Sequence, residues 1–293
     1  MQTTITHFLD WDQYADADWE KVMAEFAAHG HRDFVVYDRW GLLLALDAKF
    51  PARFRKIRDG GTARLVGAHG PFGSYFDLLA DDPEFEPVSR YVHTHLIEML
   101  AGEYGITSYT VHPLNDFLYR GSVDDAKKLL ERTLTPILEV AAKNNVAIAI
   151  ENGLQPIDQP DVLPELVKHF DSPYFGCCCD IGHLNIAAHR RGLDLMQCLE
   201  MMYPTIVVAH LHDNDGQRDL HQVAGLGSID WRRLMPVLAR APRLRSLQNE
   251  GIYSYIPVGE ICERIDRLQE YAALPMGAPA KNTGCRIFDG SQK

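Results

Sequence analysis

Short β-rich apolar runs alternate along the chain with longer stretches whose apolar residues recur at helical spacing. The runs occupy residues 5–9, 33–37, 64–68, 108–111, 146–150, 174–179, 206–209 and 244–248. The helical stretches occupy 17–28, 88–104, 123–144, 160–169, 193–202, 231–240 and 259–273. Segment 40–60, WGLLLALDAKFPARFRKIRDG, has no clear period but fills the helix slot between the second and third runs. Strands that alternate with helices predict a parallel sheet, because a parallel crossover needs a connection long enough to hold a helix. Eight such units in about 270 residues match an α/β fold of the (β/α)8 TIM-barrel type. A doubly wound sheet is the competing architecture, but no glycine-rich phosphate loop follows the first run.

Composition narrows the picture. At 293 residues and 46% hydrophobic content the chain can bury a large core. No repeat or low-complexity linker divides it, so residues 1–273 read as a single TIM-barrel domain. Residues 274–293, LPMGAPAKNTGCRIFDGSQK, read as a weakly structured C-terminal tail; contact with a partner subunit in a homo-oligomer is the alternative. Acidic side chains outnumber basic ones 40 to 29, a formal charge of −11, which argues against nucleic acid as a partner. The two basic runs, RFRKIR (53–58) and RAPRLR (240–245), fit solvated helix or loop surfaces. Six cysteines without a CxxC spacing suit buried thiols in a reduced compartment. In the triplet 177–179, strand alternation turns Cys178 inward with Asp180 and its neighbours toward the helices. No apolar run approaches the ~20 residues that span a bilayer. The start, MQTTITHFLDWD, lacks a signal-peptide pattern, so no membrane and a cytoplasmic location are expected.

Candidate chemistry sits at the ends of the predicted strands. The third ends in His69 (GAHGPF), the fourth in His112 (TVHP) and the fifth in Glu151 (IAIEN). The sixth ends in Asp180 with His183 just beyond (CCCDIGH), the seventh in His210 and His212 (VVAHLHDND), and the eighth in Glu250 (LQNEG). In this architecture the carboxyl ends of the strands form the rim of the active site. Singly, each residue could be structural, and Asn214 and Asp215 read as loop. Together, crowded carboxylates and imidazoles repel and desolvate one another unless a cation holds them. Oxygen-rich ligation with some imidazole suits Mn2+, Mg2+, Co2+ or Zn2+. Val208, His210 and His212 share a face, so alternation alone leaves either histidine as the ligand.

These motifs resemble the xylose-isomerase-like TIM-barrel superfamily, which holds sugar isomerases and epimerases, inosose dehydratases and metal-dependent AP endonucleases. The resemblance spans residues 5–270. It rests on HGPF (69–72), HP (112–113), EN (151–152), DIGH (180–183), HLHD (210–213), DLH (219–221), GLGSIDW (225–231) and Glu250. In the isomerase and epimerase branch it implies one divalent metal on Glu151, Asp180, His210 and Glu250. His210 is preferred because the family motif is H-x-x-D, which Asp213 completes. His183 and His221 would touch substrate hydroxyls, and His212 is a further candidate for metal or substrate, or would stand behind the ligands.

The implied chemistry is proton transfer beside a metal-chelated carbonyl of a small carbohydrate-type substrate, with Glu151 and Glu250 as the catalytic acid–base pair. Those carboxylates are expected across the mouth from one another. Proton return to the neighbouring carbon gives an isomerase and return to the opposite face an epimerase; loss of water gives a dehydratase. The AP-endonuclease branch implies three metals instead. There His69, His112 and Glu151 hold the first, Glu151, Asp180, His210 and Glu250 the second, and His183, Asp219 and His221 the third. One metal is favoured here, since the acidic chain lacks the basic surface of a DNA enzyme. A non-catalytic barrel is the third class, and no missing ligand supports it.

Overall fold

The computed structural model describes residues 4–9, 19–37, 50–73, 75–79, 84–114, 118–252 and 256–276. Eight parallel strands pair in chain order and close into a barrel. They are β1 (Ile5–Leu9), β2 (Asp33–Val36), β3 (Arg64–His69), β4 (Ser108–Val111), β5 (Ala147–Glu151), β6 (Phe175–Asp180), β7 (Ile206–Leu211) and β8 (Ser246–Asn249). β8 returns to β1, setting Gln248 beside Thr6 and Asn249 beside His7. The described helices are α1 (Trp19–Ala28), α2 (Phe50–Asp59), α3 (Phe85–Tyr104), α4 (Val123–Lys143), α5 (Leu163–Phe170), α6 (Ile181–Arg191), α7 (Leu195–Met202), α8 (Trp231–Leu238) and α9 (Val258–Ala272). The predicted strands lie within two residues of these bounds. α2 is the second half of the ambiguous segment; its residues 40–49 lie outside the described residues, as do 277–293 of the tail.

The apolar pattern did not announce α6. Its sequence, IGHLNIAAHRR, looks like a turn at Asp180 and Gly182. Asp180 instead ends β6 and caps α6 at once, its Oδ1 accepting the His183 N–H at 2.6 Å. Such a cap satisfies one of the N–H groups that a helix start leaves orphaned.

Two layers of core hold the strands. Outward residues such as Ile148, Ile150, Cys177, Cys179, Ala209 and Leu247 pack on the helices with Leu134, Ile137, Leu166 and Phe26. Each fully buried large side chain of this kind contributes roughly 1.5–3 kcal/mol. Inside the barrel, Ala149, Cys178, Val207 and Val208 make a separate small cluster, as alternation places Cys178. The five described cysteines are free and buried.

The basic runs serve the fold. Arg58 pairs with Asp59 at 2.8 Å and donates to the Glu103 carbonyl at 3.0 Å. Arg243 donates to the carbonyls of Ser172 and Phe175 at 2.9 and 2.8 Å. Among the described residues, no helix is long and apolar enough to cross a membrane.

Candidate active site

Strand register assembles the mouth. Asp180 and His210 are direct partners across β6 and β7. Glu151 closes β5 beside Cys178. Glu250 follows β8, its N–H still bonded to the Leu211 carbonyl at 3.1 Å. The donor atoms of Glu151, Asp180, His210 and Glu250 therefore all lie within 4.8 Å of one another. Glu151, at the end of β5, and Glu250, just after β8, converge on one imidazole: His210 Nδ1 is 3.0 Å from Glu250 Oε2 and 3.3 Å from Glu151 Oε2.

His210 is fully buried, yet neither of its ring nitrogens has a hydrogen-bond partner among the described residues, and neither does Glu250 Oε2. The close approaches lack hydrogen-bond geometry. A buried polar atom left this way costs about 1–3 kcal/mol. A cation among these donors would satisfy them, so the residues fit a metal by their own chemistry. The electrostatics agree. Burial alone would raise the Glu151 carboxyl, but His210 and His112 outweigh it and hold it well below the usual range. Burial would likewise raise Asp180, but His183 and His212 bring it to about 2. Burial works against charge on His210, yet the Glu250 and Glu151 carboxylates raise it well above an ordinary imidazole.

Two further groups adjoin this one. His69, His112 and Glu151 gather on one side. His69 Nδ1 donates to the Gly70 carbonyl at 2.8 Å, so a neutral ring presents a bare Nε2. That atom lies 3.2 Å from both Glu151 Oε2 and His112 Nε2. Burial, with His69 adding to it and Glu151 opposing it, lowers His112 to about 4, which favours its neutral, ligand-competent form. On the other side, His183, His212, Asp219 and His221 gather. His183 Nε2 and His221 Nε2 converge on Asp219 Oδ2 at 3.1 and 3.2 Å. Burial opposes charge on His221, but Asp219 carries it up to about 9. Phe72 stacks on His112 with 4.8 Å between centroids, and Phe8 meets His210 edge-on at 5.1 Å.

All ten residues singled out from the sequence thus meet at one mouth, divided among three adjoining groups. The residues that support them were not evident from the sequence. Asn152 brackets Asp180, accepting its N–H at 2.7 Å and donating to its carbonyl at 3.1 Å. Asp213, read only as part of H-x-x-D, is the peg of the GLGSIDW loop. It accepts from Gly225 N, Ile229 N and Trp231 Nε1 at 2.9, 3.2 and 2.8 Å. Gly227 must be glycine there, since a Cβ would fall 2.2 Å from Asp213 Oδ1. The short H-x-x-D to GxGxIDW spacing carried that signal. Asn214, read as loop, is buried and ties the Gly182 carbonyl to this segment at 2.8 Å.

Comparison with known proteins places this mouth in context. A family model described as xylose isomerase-like TIM barrel matches residues 51–243. The uncharacterized protein MJ1311 of Methanocaldococcus jannaschii is 31% identical over 149 residues, 48% of each chain. The chain spans about half the length of the curated relatives it matches. Among solved structures, a D-tagatose 3-epimerase-like protein superposes with TM-score 0.70 at 21% identity, covering 92% of this chain and 100% of that one. The 3-keto-D-glucoside 4-epimerase YcjR of E. coli gives 0.70 at 17%, covering 92% and 100%. A Thermus thermophilus protein, TTHB071, soaked with ZnCl2, gives 0.66 at 22%, covering 93% and 98%.

Proposed function

The chain belongs to the xylose isomerase-like TIM-barrel family, and on that premise we propose a divalent-metal-dependent isomerase or epimerase of sugars, sugar phosphates or polyol-derived keto compounds. One observation carries the reading: Glu151, Asp180, His210 and Glu250 bring their donor atoms within 4.8 Å while His210 and Glu250 Oε2 remain buried and unpaired among the described residues. These four would hold the cation, and Mn2+, Mg2+, Co2+ or Zn2+ accepts such a set. The epimerase names among the structural neighbours and the zinc-soaked one support it.

When bound, the cation draws electron density from a substrate carbonyl and acidifies the adjacent C–H. Glu250 and Glu151 perform the proton transfers. Both carboxyls are held low: burial acts to raise them, and His210 is the first group that outweighs it in each case. They are therefore carboxylates at neutral pH and accept a proton rather than donate one at the outset. Glu151 Oε2 lies 3.2 Å from His69 Nε2, while Glu250 Oε2 stands clear of any hydrogen bond from the described residues. Phe8 and Phe72 dry the mouth around them, which strengthens each polar contact. Return of the proton to the neighbouring carbon or to the opposite face decides isomerisation or epimerisation.

The test is deuterium wash-in. Metal-loaded protein incubated with a ketose panel in D2O should exchange the hydrogen beside the carbonyl. Glu151→Gln and Glu250→Gln should each lower that rate at least about 100-fold. Cation uptake without exchange on any carbonyl compound would remove the isomerase reading.

The flanking groups favour a second reading, hydrolysis of a phosphoester at a site of up to three cations, because nine ligand-type residues adjoin. Anomalous scattering from crystals grown with Zn2+ separates the two: one peak for the isomerase, three for the hydrolase, the latter with cleavage of a phosphodiester.

A further inference from the structure

We infer that His212 is a positioning residue that locks Asp180, and is not itself a cation ligand. The inference rests on Asp180 holding a cation, as in the proposed function. His212 is fully buried, and its Nε2 lies 3.0 and 2.9 Å from the two Asp180 carboxylate oxygens. Its Nδ1 is buried with no partner among the described residues. A neutral imidazole carries one N–H. On Nδ1 that hydrogen would have no acceptor; on Nε2 it is shared between two carboxylate oxygens. The geometry therefore assigns the Nε2–H tautomer, with His212 donating to Asp180.

The ring cannot turn away from this task. Its centroid stacks 3.9 Å from that of His221 with planes 7° apart. Opposite, Gly182 leaves the space: a Cβ there would fall 1.9 Å from His212 Cε1. His221 reaches its stacking position with φ of +44°, a left-handed conformation uncommon outside glycine. Ring lone pairs lie in the ring plane, so two parallel stacked imidazoles do not converge on one cation. His221, turned to Asp219, and His212, turned to Asp180, serve different carboxylates. With the His183 N–H on Oδ1 at 2.6 Å, His212 fixes Asp180 in a single rotamer. Fixed ligand orientation of this kind typically changes metal affinity about 10–100-fold.

The test uses full-length protein and Co2+ alone. His212→Phe keeps a ring against His221 but removes the donor; it should weaken Co2+ binding by about 10–100-fold while the metal-free protein melts near the wild-type temperature. His212→Gln restores an N–H and should recover affinity to within about threefold of wild type. Long-range 1H–15N spectra of metal-free wild type should read the Nε2–H tautomer. Unchanged Co2+ affinity in His212→Phe, no recovery in His212→Gln, or an Nδ1–H tautomer would each overturn the positioning role while leaving the metal site standing. Wild type that takes up no Co2+ overturns the metal reading, and this role with it.

Discussion

The barrel buries two sets of histidines at similar depth, one in its wall and one at its mouth, and treats them oppositely. In the wall every nitrogen has one matched partner. Asn249 donates to His7 Nδ1 at 3.2 Å, His7 Nε2 meets His31 Nδ1 at 2.8 Å, and His31 Nε2 reaches Asp266 at 3.3 Å. His93 donates through Nε2 to the Phe76 carbonyl and accepts the Tyr109 hydroxyl, both at 2.9 Å. Burial then keeps these rings neutral: His7 falls well below its ordinary value and His93 falls to about 4. At the mouth, His210 is equally buried, faces carboxylates and has no hydrogen bond from the described residues. Buried histidine is therefore not a sign of function by itself. The sign is burial that the protein's own groups leave unsatisfied.

Substitutions should separate the two sets most strongly in metal uptake. Asp180→Asn should lower bound Zn2+, read by elemental analysis after loading and desalting, by at least about 100-fold, since it removes a charged donor from a four-donor set. His93→Phe should leave stoichiometry at the wild-type value. Loss of metal in the wall variant would erase the distinction.

The sets also divide by pH. His93 and His7 have depressed values in the fold, so the unfolded chain binds the extra protons. Their contribution is present above about 6.5 and is lost as pH falls toward 4, by about 3 kcal/mol for His93 alone. At the metal-free mouth His112, lowered to about 4, follows the wall, but His221 has the opposite sign. His221, raised to about 9, contributes fully below about 6.5 and loses that contribution as pH climbs through 9. Urea unfolding of metal-free protein should therefore weaken on both sides of neutrality, with the alkaline loss reduced in Asp219→Asn. Stability that rises steadily from pH 6 to 9 in metal-free wild type would contradict the assignment.

Stability should rank the two regions in reverse of metal uptake. His93→Phe leaves the Phe76 carbonyl and the Tyr109 hydroxyl short of a partner and should cost about 2 kcal/mol in urea. Glu250→Gln in metal-free protein should cost under about 1 kcal/mol, because the carboxylate it replaces already has an oxygen unpaired among the described residues.

Much of the mouth was legible because strand ends are local. Period-two runs located Glu151, Asp180 and His210, and the (β/α)8 architecture puts successive strand ends on one rim. What escaped depends on contacts between distant residues. Nothing near His7 says that His31, 24 residues away, will complete its hydrogen bonds, or that Asp266 on α9 will in turn pair with His31. Gly182 reads as a turn former until His212, from the next strand, is seen occupying its Cβ position. α6 was hidden because its capping residue, Asp180, is also a ligand candidate and, with Gly182 close behind it, has the pattern of a turn. Alternation left His210 and His212 equivalent and only the H-x-x-D resemblance preferred His210; the fold gives His210 two glutamates and His212 Asp180.

The smallest effect should come one layer beneath the mouth, at Cys178. Its side chain lies in the barrel interior with Ala149, Val207 and Val208, and its sulfur is within 4.8 Å of donor atoms of Glu151 and His210. Burial pushes its thiol above the ordinary range, with His210 opposing, so it stays protonated in metal-free protein. The four nitrogen and oxygen donors above it do not need sulfur. Cys178→Ser should therefore cost roughly 1 kcal/mol in urea. It should leave the ratio of Zn2+ to Mn2+ affinity within about threefold of wild type, whereas losing a thiolate ligand would weaken the softer cation selectively. A selective loss of Zn2+ in this variant would extend the mouth a layer into the barrel and move the boundary between the two regions to Cys178.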